Sequence, residues 1–120
     1  MTEVESCFNS NYRDRLIHIL SPGKIISVSM LKHLSQKAMP EAISLTCSQI
    51  CFIEQVEVVG DPWAIEIVIK INDSQGKPIL DFRILPNDVV HNLNNEGNQI
   101  FIECGTSYIS PIGYAVSIWD

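Results

Sequence analysis

The sequence predicts an α+β protein in which two N-terminal helices pack on a mainly antiparallel sheet of about five strands, connected as a meander. Two observations lead to this fold class. Apolar residues recur at helical spacing before residue 40, and β-branched residues alternate with polar ones after residue 43. Helices followed by an uninterrupted series of strands indicate α+β, because parallel strands would need a crossover helix between each pair.

The segment 8–20, FNSNYRDRLIHIL, predicts the first helix. Phe8, Tyr12, Leu16 and Leu20 follow at a spacing of four and form one face. Polar residues at its start can cap it, and the Ser-Pro-Gly at 21–23 ends it.

A second helix is predicted over 29–38. Ser29 can cap it, Met30 and Leu34 lie on its apolar face, and Pro40 ends it. The β-branched residues just before it, at 25–28, form an alternative short strand.

Five strands are predicted near 44–59, 63–71, 78–85, 99–104 and 113–119, each divided from the next by Gly, Pro, Asn or Asp. The stretch NDVVHNL at 87–93 predicts a single helical turn with Asn87 as its cap.

The strands flanking NDSQGK predict a hairpin in which the numbers of facing residues add up to 149. Its isoleucines then share one face with Phe82 and Leu80, while Glu66 faces Arg83 on the other. We therefore expect Glu66 and Lys70 on the solvent face, with a structural role for Glu66 instead of a catalytic one.

Length and composition predict one domain spanning residues 1–120. An acidic start and the lack of any long apolar stretch indicate a cytoplasmic protein without a membrane segment. The four cysteines, at positions 7, 47, 51 and 104, are expected to be reduced and mostly buried thiols.

Charge is distributed unevenly along the chain. Residues 1–40 hold five bases and three acids, a balance of +2, whereas residues 41–120 hold three bases and eleven acids, a balance of −8. Such a surface repels nucleic acid and attracts a basic protein.

No catalytic or metal motif stands out, so we expect no enzyme activity and no cofactor. Cys47 and Cys51 are too far apart on a strand, about 13 Å, to share one zinc ion. Asp88 and His91 lie one helical turn apart, the arrangement of a general base, but no nucleophile motif accompanies them.

These observations lead to the expectation of a small acidic module for protein–protein interaction, with a monomer favoured over an oligomer. A bacterial immunity protein that inhibits a basic, nuclease-like toxin is the most concrete class of such a module. Two alternatives remain. One is an enzyme or ligand carrier with a pocket between sheet and helices, in which Glu57 or Glu103 is a buried carboxylate; the other is a homodimeric adaptor or secretion-chaperone-like protein. The residues expected to contact the partner lie mostly in loops: Asp61, Trp63, Asp88, His91, Glu96, Tyr108, Ile109 and Tyr114.

Overall fold

The protein is an antiparallel sheet of nine strands with one helical turn, in a computed structural model that describes residues 5–6, 16–33, 40–47, 49–61, 64–91, 99–104 and 112–119. All strand pairings are antiparallel. The strands are β1 (Glu5–Ser6), β2 (Ile25–His33), β3 (Pro40–Ser44), β4 (Cys51–Val59), β5 (Glu66–Asp73), β6 (Pro78–Ile84), β7 (Val89–His91), β8 (Gln99–Glu103) and β9 (Gly113–Trp119).

The prediction of two helices on a five-stranded sheet is wrong. Within the described part of the first predicted helix only residues 16–19 are helical, and 8–15 lies outside the described residues. The second predicted helix is wrong because β2 runs through Ile25–His33 and pairs with strands on both sides. Tertiary pairing of this kind overrides a short helical periodicity. The alternative strand at 25–28 was the better prediction.

Two further local predictions are also corrected. The single strand over 44–59 is two strands, β3 and β4, separated by a turn in which Cys47 has a φ of +54°. The helical turn at 87–93 is instead β7, Val89–His91, which pairs with β8. The four later strands of the prediction are confirmed as β5, β6, β8 and β9, with small shifts at their ends.

The sheet order is β1-β7-β8-β9-β2-β4-β5-β6, with β3 also paired to β2. Two meanders, β4-β5-β6 and β7-β8-β9, are therefore joined through β2, which lies between β9 and β4. The sheet curls on itself, since the rings of Phe82 on β6 and Tyr114 on β9 are 4.9 Å apart although three strands separate β6 from β9.

The concave side of this curled sheet encloses the core. Isoleucines and valines of the central strands point into it, and Leu16 and Leu20 of the helical turn are fully buried against them. A fully buried side chain of this size stabilises the fold by about 1.5–3 kcal/mol. The convex side of the sheet, called the outer face below, carries the polar residues of the strands.

The β5–β6 hairpin differs from its predicted register by two residues, because Ile67 faces Ile84 and Ile69 faces Phe82. A bulge shifts the pairing between Ile71 and Asn72. The Asp73 side chain braces the turn by accepting hydrogen bonds from the backbone N–H groups of residues 75 and 77. A shift of two residues leaves every side chain on its predicted face, so Glu66 and Lys70 do lie on the outer face.

Candidate partner-binding surface

The outer face of β4, β5 and β6 carries more acid than base. Arg83 Nη1 lies 2.9 Å from Glu66 Oε2, and Lys70 Nζ lies 3.8 Å from Glu57 Oε1. Both bases of these three strands are thus paired with carboxylates. Exposed acids remain at Glu54 on β4, at Asp61 in the turn after β4 and at Asp81 on β6, and none of them forms an ion pair with another described residue. We call these three residues the acidic group.

An apolar row crosses the outer face, and its member on β4, Phe52, lies two residues before Glu54. In the strand registers Trp119 faces Ile25, and Ile25 faces Phe52, so three adjacent strands place large apolar side chains side by side. Their chain neighbours Ile26 and Ile118 are buried in the core, which puts the row on the opposite side of the sheet.

The apolar row is defined as Ile25, Phe52 and Trp119, of which Ile25 and Phe52 are half-buried and Trp119 is exposed. Trp119 is 48% exposed, and Ile50, in the turn before β4, is 61% exposed. Aromatic and aliphatic side chains next to charged ones are the usual composition of a protein interface, where a few apolar anchors contribute most of the binding energy.

The residues predicted for the site lie in different places. Asp61 is exposed in the turn after β4, and it joins the acidic group. Trp63, Glu96, Tyr108 and Ile109 lie outside the described residues.

Asp88 is only 3% exposed, so it is not presented to a partner. Its Oδ2 accepts a hydrogen bond of 2.9 Å from the backbone N–H of Leu85, and its own N–H donates to the carbonyl of Leu85 over 3.0 Å. These two bonds close the turn that connects β6 to β7. The carboxylate therefore has a structural role in this turn.

His91 lies on the outer face of β7, and its ring packs on Phe101 with centroids 5.7 Å apart. Its Nε2 lies 3.4 Å from Glu103 Oε1, close enough for an ion pair when the ring is protonated, but without hydrogen-bond alignment. The structure thus places His91 beside Glu103, while Asp88 caps its own turn. The acid–base pair of Asp88 and His91 that the sequence suggested is therefore not formed.

Tyr114 and Cys104 face the interior at one end of the sheet. Tyr114 packs edge to face on Phe82. Burial raises the pKa of the Cys104 thiol to about 11, and the charge of Asp88 adds to the effect. Burial likewise raises the pKa of Tyr114, with Cys104 and Asp88 contributing. Both groups are protonated at neutral pH, so Cys104 is a poor nucleophile.

The other cysteines are also free thiols in the described chain, Cys47 exposed and Cys51 buried. Burial raises the pKa of Cys51, followed by the charges of Asp73 and Cys47. Within the ranges that the structure describes, no three His, Cys, Asp or Glu side chains are grouped as metal ligands. Cys7 lies outside those ranges.

The two carboxylates singled out for a ligand pocket are at the surface. The side chain of Glu57 is 37% exposed and that of Glu103 is 55% exposed. Neither is the buried carboxylate that a pocket-based activity would use.

Sequence reasoning missed the apolar row, although its signal is present in GYAVSIWD. In β9 the buried residues Val116 and Ile118 have the same parity, so Trp119 has the opposite one and points outward. The prediction searched for anchors on loops, whereas the exposed aromatic side chain belongs to a strand.

No known protein family, curated protein or solved structure matched this chain. Among the described residues, no helix has the length and apolar character needed to span a membrane.

Proposed function

We propose that this protein is a small acidic module of the bacterial cytoplasm that binds a basic protein partner, and that the partner is a nuclease-like toxin which it neutralises. The observation that carries the proposal is the apolar row with its exposed Trp119, on a sheet whose strands β4 and β6 also present exposed acids at Glu54 and Asp81. Together they provide apolar anchors and a charged surround on one side of a rigid sheet.

The charge of the surface selects the kind of partner. The segment 41–120 carries eleven acids against three bases, and both bases on β4, β5 and β6 are paired with carboxylates. A surface of this charge accelerates encounter with a basic protein and repels nucleic acid. Nucleases carry clustered Lys and Arg because they must neutralise phosphates.

Neutralisation follows from that choice of partner. The acidic group would bind the Lys and Arg side chains with which a nuclease contacts phosphate. Nucleic acid could then no longer bind to these side chains. The apolar row, and its exposed member Trp119 above all, would make the contact stable. Truncation of such anchors typically costs about 2 kcal/mol or more, roughly a thirtyfold loss of affinity.

The experiment is an inhibition assay with the toxin-like product of a neighbouring gene. Residual nuclease activity is measured as the purified protein is added up to stoichiometric excess. The wild type is expected to abolish the activity. Activity that persists in excess of the protein overturns the proposal.

Two variants and a control sharpen the assay. Trp119→Ala removes the anchor, and the pair Glu54→Gln with Asp81→Asn removes charge, so both should weaken inhibition. Glu103→Gln removes one exposed acid from β8, on a strand that carries neither the apolar row nor the acidic group, and should leave inhibition unchanged. Equal effects of all three would argue against this surface.

The homodimer alternative makes a distinct prediction for the same surface, because a second copy could cover the apolar row. Light scattering is expected to return a monomer for the free protein. A dimer that Trp119→Ala dissociates would support self-association in place of partner binding.

A further inference from the structure

We infer that the basic partner binds by adding an extended strand to the edge of β4 at residues 54–59, where the described part of the chain provides no second neighbour. This inference rests on the proposed function, and it names the mode of contact. It is drawn from the pairing, exposure, backbone direction and charge of this edge.

The pairing of β4 with β2 ends early. Ile25 and Ile26 of β2 face Phe52 and Cys51 of β4, and two further backbone bonds join Ile53 to residues 23 and 24. Before this point the chain forms the helical turn at 16–19 instead of pairing with β4. Among the described residues, 54–59 of β4 pairs with β5 alone.

Side-chain exposure along β4 increases beyond the point where its pairing with β2 ends. Ile53, which has partners on both sides, is 1% exposed. Val58 lies in one row with Ile67 and Ile84, which are both fully buried, yet Val58 is itself 45% exposed. The row therefore ends at Val58 with an open position on its far side.

At this edge, every second residue directs its backbone N–H and C=O groups away from β5. Both backbone groups of Ile53 bond toward β2, away from β5. Rows of an antiparallel ladder alternate between bonded and non-bonded pairs. A bulge between Ile53 and Gln55 adds one residue to β4, so Val56 and Val58 lie two and four rows from Ile53. They must therefore also direct their N–H and C=O groups away from β5. Such groups are the template for strand addition.

Charge determines which strand fits. The 54–59 edge carries Glu54 and Glu57 and has no base and no proline. The outer edge of β6, in contrast, begins at Pro78, which has no N–H, and carries Arg83. A strand in which lysine or arginine alternates with apolar residues would place its apolar side chains beside Val58. Its bases would lie near Glu54, which forms no ion pair with another described residue, and near Glu57, which they would share with Lys70.

The test uses a short synthetic peptide of alternating lysine and valine and follows backbone amide exchange by NMR. The peptide should slow exchange at Val56 and Val58, whose amides face the open edge. The amides of residues 55, 57 and 59, already bonded to β5, should change little. A peptide with glutamate in place of lysine should not bind.

A third peptide separates strand addition from adsorption by charge. Methylation of its alternate backbone nitrogens removes hydrogen-bond donors and keeps every lysine. It should lose most of the binding. If it binds as well as the parent and the Val56 and Val58 amides remain unprotected, strand addition is overturned while a basic partner stays supported.

A variant tests the same edge from the protein side. Val58→Pro removes the outward N–H, and proline is tolerated where an edge N–H faces solvent. Binding of the lysine–valine peptide should fall at least tenfold, whereas the matched control Val58→Thr should bind like the wild type. Circular dichroism and the melting temperature establish that both variants fold. Undiminished binding by folded Val58→Pro contradicts the inference.

Discussion

Arg83 reaches diagonally across the sheet to Glu66, with 2.9 Å between Nη1 and Oε2, although the residue directly opposite Arg83 is Val68. Val68 lies on the outer face and is nevertheless only 4% exposed. Val68 is flanked in its row by Arg83 on β6 and by Glu57 on β4, and we expect the aliphatic stem of Arg83 to provide a large part of this cover. The contact thus combines an ion pair with the shielding of an apolar side chain.

We expect the shielding to contribute more to stability than the ion pair. Glu66→Gln should lower the free energy of unfolding by less than about 1 kcal/mol, since exposed pairs contribute roughly 0.2–1 kcal/mol. Arg83→Ala should cost more, and Arg83→Met, which keeps the stem, should cost about as little as Glu66→Gln. Urea denaturation at low and high salt measures these differences. A strongly salt-dependent loss in Arg83→Ala, matched by Glu66→Gln, would assign the effect to charge instead.

Asp88 should be needed for stability and not for partner binding. Asp88→Ala removes the hydrogen bond from the Leu85 N–H to a carboxylate that is only 3% exposed, and a hydrogen bond to a charged group contributes about 1.5–3 kcal/mol. Asp88→Asn retains an acceptor oxygen and should cost less. Denaturation curves give the stabilities, and the nuclease assay, run below the unfolding transition, should show unchanged inhibition. A selective loss of inhibition in Asp88→Asn would return this residue to the site.

Gly113 should not tolerate even a methyl group. A Cβ at this position would lie 2.3 Å from the carbonyl oxygen of Ile102 and 2.8 Å from the ring of Phe101, and the backbone carbonyl cannot move aside. Gly113→Ala is therefore expected to destabilise the fold by about 1–3 kcal/mol or more, as overpacking does. The melting temperature checks this.

Gly76 provides the matched glycine control. It lies in the β5–β6 turn with a φ of +82°, and nothing lies within 4 Å of an added Cβ. Gly76→Ala should cost only the backbone strain of about 1–2 kcal/mol. If Gly113→Ala proved as mild as Gly76→Ala, the close approach of β8 and β9 would be wrong.

Cys104 should react slowly with thiol reagents, and its contribution to stability should change with pH only in the alkaline range. Burial raises the pKa of this thiol from 9.0 to about 11, so the folded protein holds the proton over a range where the unfolded chain releases it. The stabilising contribution is present below pH 9 and is lost as pH rises toward 11. Cys104→Ala should show a shallower loss of stability across this window than the wild type.

Alkylation in a Cys7→Ser background measures the same property kinetically. Exposed Cys47 should react first at neutral pH, with Cys104 and buried Cys51 much slower. Rapid modification of Cys104 at neutral pH would contradict its raised pKa.

The hairpin shows what the sequence can predict. Alternation in WAIEIVIKI assigned Ile67 and Ile69 to the core and Glu66 to the outer face, because the side-chain period of a strand is two. The choice of partners was wrong by two residues, since the bulge at Ile71 and Asn72 has no clear signal in the NDSQGK loop.

Strand β2 shows where local reasoning fails. Met30 and Leu34 have helical spacing, but Met30 pairs with Tyr114 of β9 on one side and with Ile43 of β3 on the other. A partner more than eighty positions away leaves no mark on the local pattern. The free edge of β4 was unpredictable for the same reason, because it depends on where β2 leaves β4.

The position of β2 between β4 and β9 also determines when this chain can fold. The two central strands, β2 and β9, come from distant parts of the sequence. The long stretch of chain between them must therefore close into a loop before either strand is paired on both sides. We expect slow, all-or-none folding, with neither meander stable alone. On the ribosome, the sheet cannot be completed until residue 119 has left the exit tunnel, and until then the isoleucine-rich strands remain open to chaperones or to aggregation.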